Sequence, residues 1–145
     1  MANLNEQILE NFSGGINCAQ QVAGFWAEKL GYNKRDVMRM AAGFGGGCGR
    51  GDLCGVVSGA LMVIGLKYGH SEPGDLEGKA LTARKAKEFN DKFIKRNGSV
   101  TCRDLLQIDF SKEGEKQRAI DTGLIVEVCP QLIQDAIEIL DEIMQ

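Results

Sequence analysis

Nowhere does the chain carry a C-x-x-C pair, and that absence removes both a thioredoxin-type dithiol and a locally encoded zinc knuckle. It also has no C-x-x-C-H for haem attachment and no close-set cysteine run of the ferredoxin kind. Its one histidine, His70, stands beside the turn-forming "HSEPGD" and reads as a solvated side chain. A cysteine–histidine hydrolase pair therefore has only residue counting behind it. Clean two-residue alternation is missing, so half-buried strands are not expected. There is no basic excess either. Lys and Arg number 17 against 20 Asp and Glu, a net charge of −3, which excludes the electrostatic footprint of a nucleic-acid binder. The longest apolar run, Leu53 to Leu66, is interrupted by Gly55, Ser58, Gly59 and Gly65. It falls short of the roughly 20 residues a membrane span needs, so membrane insertion is not expected. The opening "MANLNEQILENFSGG" has neither the basic nor the apolar region of a signal peptide, and a cytoplasmic location is the expectation. In that compartment structural disulfides are rare, and cysteines more often serve metal, catalysis or transient disulfides.

What the chain has in excess is 19 glycines and five cysteines in 145 residues. Hydrophobic residues at 43% and charged residues at 26% are otherwise ordinary for one globular domain spanning residues 1–145. Five is an odd number, so a fully paired monomer leaves at least one thiol free.

Helical periodicity dominates the chain, and the fold class expected is all-α, a single compact bundle. Leu4 to Phe12 reads as a short helix ended by Ser13-Gly14-Gly15. Asn17 caps a second, with Gln20 in capping-box position, and that helix stops at Gly31. A third opens at Asn33 or Lys34 and ends near Gly43. Leu53, Val57, Ala60, Leu61 and Ile64 share one face of a central apolar helix that ends near Tyr68-Gly69. Gly55 and Gly59 give that helix a small face for close backbone approach. Leu76 to Arg96 is a long polar helix with a stripe of Ala86, Phe89 and Phe93. "TCRDLL" begins another, with Thr101 and Asp104 in capping-box spacing, and Glu113 to Thr122 is weakly helical. Cys129-Pro130 is expected to open the last helix, where Leu132, Ile133, Ala136, Ile137, Leu140 and Ile143 form a stripe. That stripe suits the chain's own core or a second copy, which leaves a homodimer open.

The glycine-rich stretch from Phe44 to Asp52 is no Walker loop, because Gly51-Asp52-Leu53 puts an acid where Lys and a hydroxyl belong. It is no dinucleotide fingerprint either, lacking the preceding strand and the last glycine. Arg50-Gly51-Asp52 is a chance match to an adhesion tripeptide. Two readings remain for Gly45, Gly46, Gly47, Gly49 and Gly51: a tight turn between packed helices, or a backbone bared for the approach of another thiol or a small substrate.

Cys18, Cys54, Cys102 and Cys129 share an address at expected helix starts, where free N–H groups and the helix dipole favour a thiolate. Arg103 adds a cation beside Cys102, and Glu127 works against Cys129. Read singly, each cysteine is as well explained by inert packing; the shared placement is what points to chemistry. The long gaps between them mean that any four-thiolate site must be assembled by the fold.

At these residues the chain resembles the C_GCAxxG_C_C family of redox-assigned proteins. The family's C-G-A-x-x-G motif falls on Cys54-Gly55-Val56-Val57-Ser58-Gly59, with Val56 in place of the alanine. Its first cysteine matches Cys18 in "NCAQQV", its glycines match Phe44 to Gly47, and its remaining cysteines match Cys102 in "GSVTCRDLL" and Cys129. Cys48 is additional to those four. The resemblance implies redox activity but names no substrate.

Three functions are ranked on this basis. The first is thiol–disulfide exchange, which would make the chain a thiol–disulfide oxidoreductase: Cys54 attacks, Cys18, Cys102 or Cys129 resolves, and Cys48 is a second candidate nucleophile. Its partner would be a redox protein or a small thiol. Four cysteines allow three pairings, and spacing does not choose. The second is a metal site, zinc or an iron–sulfur cluster, on Cys18, Cys54, Cys102 and Cys129. The third is a helical adaptor whose thiols stay reduced and buried.

Overall fold

Side-chain caps set the first three helix starts. Asn3 caps α1 (Leu4–Ser13) and Asn17 caps α2 (Cys18–Ala27), each in a reciprocal box with the residue three further on, Glu6 and Gln20. Asn33 caps α3 (Lys34–Ala41). The α2 helix tightens into a final turn over Glu28–Leu30 and ends at Gly31, whose φ of 87° only glycine adopts freely. The computed structural model describes residues 3–145. Met1 and Ala2, the start of the stretch read for an export signal, lie outside them.

The remaining helices are α4 (Gly55–Tyr68), α5 (Leu76–Asn97), α6 (Cys102–Leu106), α7 (Glu115–Asp121) and α8 (Leu124–Ile143). Among the described residues there is no strand, and the one ladder contact is an isolated antiparallel bridge between Leu53 and Thr101. The all-α expectation holds. No helix among these residues is long and apolar enough to cross a membrane.

α4 packs against α2, α5 and α8. Val56, Val57, Ala60, Val63 and Ile64 are fully buried, so the helix is apolar nearly all round, as a core helix should be. The small face works as expected: a Cβ on Gly59 would lie 2.7 Å from the Ala19 carbonyl oxygen, so α2 and α4 touch backbone to backbone. Phe89 and Phe93 of α5 close the core with stacked rings 5.7 Å apart. The stripe of α8 is buried throughout (Leu132, Ile133, Ala136, Ile137, Leu140 and Ile143), so it serves this chain's own core.

Three local expectations change. Leu53 lies before α4 rather than on its face, because its backbone pairs with Thr101. The glycine-rich stretch, expected as a loop, is wound through much of its length, with a 3-10 turn over Ala42–Phe44 and a left-handed turn in which Gly46, Gly47, Cys48 and Gly49 all have φ between 60° and 72°. The last helix starts at Leu124, not at Cys129-Pro130. Leu124, Ile125 and Val128 pack on a second apolar cluster with Leu106 and Phe110, which draws the extra turns into the helix. Pro130 then has no N–H for the Val126 carbonyl. Val126 is on the exposed side, where solvent can serve that oxygen.

Candidate functional site

Cys18 is the first residue of α2, held there by the Asn17 cap. The Asn17 Oδ1 accepts from the Gln20 N–H at 2.9 Å, and its Nδ2 donates to the Ala42 carbonyl at 2.9 Å. One side chain thus starts α2 and ties the α3–α4 connection to it. Cys54 is the cap residue of α4, and Cys102 is the first residue of α6. The bridge between Leu53 and Thr101 joins these two. The Cys54 N–H donates to the Val100 carbonyl at 2.8 Å, and the Cys102 N–H donates to the Asp52 carbonyl at 2.7 Å. Arg103 adds a 2.9 Å ion pair to Asp52. A single rung therefore brings together two cysteines 48 positions apart in sequence. Cys129 arrives from α8, in its second turn rather than at its start, so the shared helix-start address holds for three of the four.

All four line one cavity of about 310 Å³. Their residues are between 5% and 8% exposed, at its floor. Phe12, Phe110, Leu105 and Ile125 contribute apolar walls, and exposed Gly15, Ala42 and Lys116 mark its rim. The Cys18 sulfur lies against Gly55, where a Cβ would meet it at only 2.5 Å. The glycine of the family motif is therefore the space that Cys18 occupies. All five cysteines are free thiols, and Cys48 is exposed, outside the cavity.

Burial decides the ionisation of the four. Desolvation pushes the Cys54 and Cys102 thiols up to about 12, with the neighbouring Cys18 adding to the rise in both. It also raises Cys129 and Cys18. The expected helix-start effect is present but smaller: the N–H groups of Ala19 and Cys18 at the start of α2 favour the Cys18 thiolate, behind that of Gly46 in the glycine-rich turn, and those of Val56 and Val57 favour the Cys54 thiolate. The four thiols influence one another, with Cys18 acting on each of the other three. The expectation of thiols poised as thiolates is corrected accordingly, because losing water outweighs half a helix charge.

The local charges are also not those expected. Arg103 is spent on Asp52, and the cation that favours the Cys102 thiolate is Lys116 of α7. Glu127 does not act on Cys129, and His70 is exposed. No feature of the sequence announces Lys116, since only the tertiary fold carries α7 to the rim. Among the described residues, no group of three or more His, Cys, Asp or Glu side chains is arranged to hold a metal ion. Ligation of zinc or a cluster by Cys18, Cys54, Cys102 and Cys129 gains nothing beyond their common cavity.

An all-helical protein with four buried thiols gathered from separate helices is the class that this fold and site define. The chain belongs to the family described as "Putative redox-active protein (C_GCAxxG_C_C)", whose model matches residues 16–143. No curated protein and no solved structure matches it.

Proposed function

We propose that this protein carries out thiol–disulfide exchange at the four-thiol cavity, with Cys18 and Cys54 as the reacting pair. The observation that carries this reading is the convergence of Cys18, Cys54, Cys102 and Cys129 on one solvent-reached cavity. Cys18 rather than Cys54 is assigned the first attack, which reverses the order expected from sequence. It has the larger set of backbone N–H groups, those of Gly46, Ala19 and Val56 included, to stabilise a thiolate. Cys54 resolves, since Cys18 is the thiol that influences it most. Cys102 and Cys129 complete the floor as a reserve pair.

In the exchange, the Cys18 thiolate attacks a disulfide, one sulfur leaves as a thiol, and Cys54 displaces the other. Two electrons and two protons pass from the protein to the disulfide. Burial favours the protonated thiols in the resting protein, so attack requires loss of a thiol proton within the cavity.

The test is mass mapping after mild oxidation of the reduced, anaerobically purified protein, with a parallel metal analysis. A Cys18–Cys54 disulfide, lost in Cys18→Ser, is expected. Near-stoichiometric zinc or iron that protects all four thiols would instead assign the site to metal, and four thiols that never pair would leave the helical adaptor.

A further inference from the structure

We infer that the four-thiol cavity admits small anionic disulfides, with Lys116 as the side chain that receives their negative group. This rests on the exchange reading above and names its substrate class. Among the described residues, Lys116 is the one charged residue lining the cavity. Other polar groups of α7 are already engaged: Arg118 pairs with Glu115 at 2.7 Å, and Gln117 donates to Asp121 at 2.7 Å. Lys116 has no ion-pair or hydrogen-bond partner among the described residues. Its ammonium nevertheless turns to the cavity, 4.0 Å from where a Cβ on Gly46 would sit, and it acts on Cys102.

The geometry separates charge from sulfur. Lys116 is at the exposed rim, the thiols are at the buried floor, and the walls between are largely apolar. A ligand that spans this distance with a carboxylate at one end and a disulfide at the other meets both. A cationic disulfide meets Lys116 and finds no carboxylate in the lining; a neutral one gains nothing at the rim. The volume, about 310 Å³, lies at the low end of the roughly 300–1,000 Å³ of ligand pockets, which suits a small molecule rather than a folded partner. The net charge of −3 would draw cations toward the protein as a whole, so anion preference has to come from the cavity itself.

The reaction balances with this ligand. A protein thiolate attacks one sulfur of the bound disulfide and its S–S bond breaks. The leaving thiolate takes up the proton that the protein thiol gave up, and a mixed disulfide remains. A second protein thiol attacks the protein's sulfur in that bond and releases the other half as a thiol. The protein is oxidised by two electrons and the ligand reduced by two.

Single-turnover oxidation of the reduced full chain tests this, followed by thiol counting and mapping of the Cys18–Cys54 pair. The probes are dithiodipropionate, bis(hydroxyethyl) disulfide and cystamine, which are anionic, neutral and cationic, with each rate divided by that of the same disulfide with dithiothreitol. The anionic probe is expected to lead the neutral one, and the neutral one the cationic, by roughly fivefold at each step, with the differences compressed by salt. Lys116→Glu should invert the order, Lys116→Arg should keep it, and Lys112→Glu, a charge change outside the cavity, should leave it as it is. Lys116 is exposed, so these variants keep the core intact. Equal normalised rates, or an order untouched by Lys116→Glu, would overturn the inference while the neutral probe's reaction still upheld the exchange reading. Failure of all three probes to oxidise the pair would remove that reading and the inference with it.

Discussion

Cys48 and Cys54 lie six positions apart, yet one is exposed on a left-handed turn and the other is 5% exposed at the cap of the central helix. The backbone of Cys54 is extended, φ −54° and ψ 134°, and an L-residue adopts it without strain. Cys48 has φ 60° and ψ 32°, in a run of left-handed residues that glycine tolerates and cysteine does not favour. That run is anchored at its far end. The Asp52 N–H donates to the Gly47 carbonyl at 3.0 Å, and the Asp52 carboxylate pairs with Arg103 at 2.9 Å and Arg50 at 3.5 Å. The same residue type is thus governed by solvent loss at one end of the connection and by backbone conformation at the other. Exposure and backbone strain follow the element that carries the thiol, not the thiol.

The contrast is broken most directly by native thiol labelling. A bulky alkylating reagent at neutral pH is expected to modify Cys48 at least 100-fold faster than the four cavity thiols, giving an early stoichiometry of one by mass. Comparable labelling of all five would show that the floor is open.

Next in size is the space that Cys18 fills. Gly55→Ala sets a Cβ 2.5 Å from the Cys18 sulfur, and urea unfolding should show a loss of about 2–3 kcal/mol. Gly49→Ala in the turn meets open space but keeps φ 72°, so the loss there should be only about 1 kcal/mol.

Alkaline pH sharpens the comparison further. The unfolded chain releases thiol protons near 9.0, whereas Cys54 and Cys102 hold theirs to about 12. The unfolded state then binds fewer protons, so stability present below pH 9 is lost as pH rises toward 12. Each thiol contributes up to about 1.4 kcal/mol per pH unit in that window. Denaturant midpoints measured between pH 8 and the highest pH at which the protein stays folded should fall, and less steeply in Cys54→Ala.

The smallest effect belongs to Cys48 itself. Cys48→Gly removes a left-handed strain of roughly 1 kcal/mol and adds chain entropy to the unfolded state, for a net stabilisation of about 0.5 kcal/mol by urea titration.

Much of the fold was legible because its signals are local. The Asn17 and Gln20 box, the Gly31 stop and the 3.6-residue stripe of α8 each act within a turn or two of themselves. Pro130 misled for the same reason. A proline beside a capless stretch reads as a helix start, and only the packing of Leu124, Ile125 and Val128 on Phe110 and its neighbours extends the helix past it. The four cavity cysteines were legible as candidates, but neither the Cys54–Cys102 rung nor the role of Lys116 was, since each joins segments far apart in the chain.

Residue type and spacing alone determined the helical class, the helix caps and the set of thiols, because hydrophobic period, capping and side-chain chemistry operate over a few residues. Tertiary structure alone decided that four thiols share a floor, that burial favours their protonated forms, and that Lys116 stands at the rim. Ionisation depends on how much water a group loses and which charges stand near it, and both are properties of the folded chain.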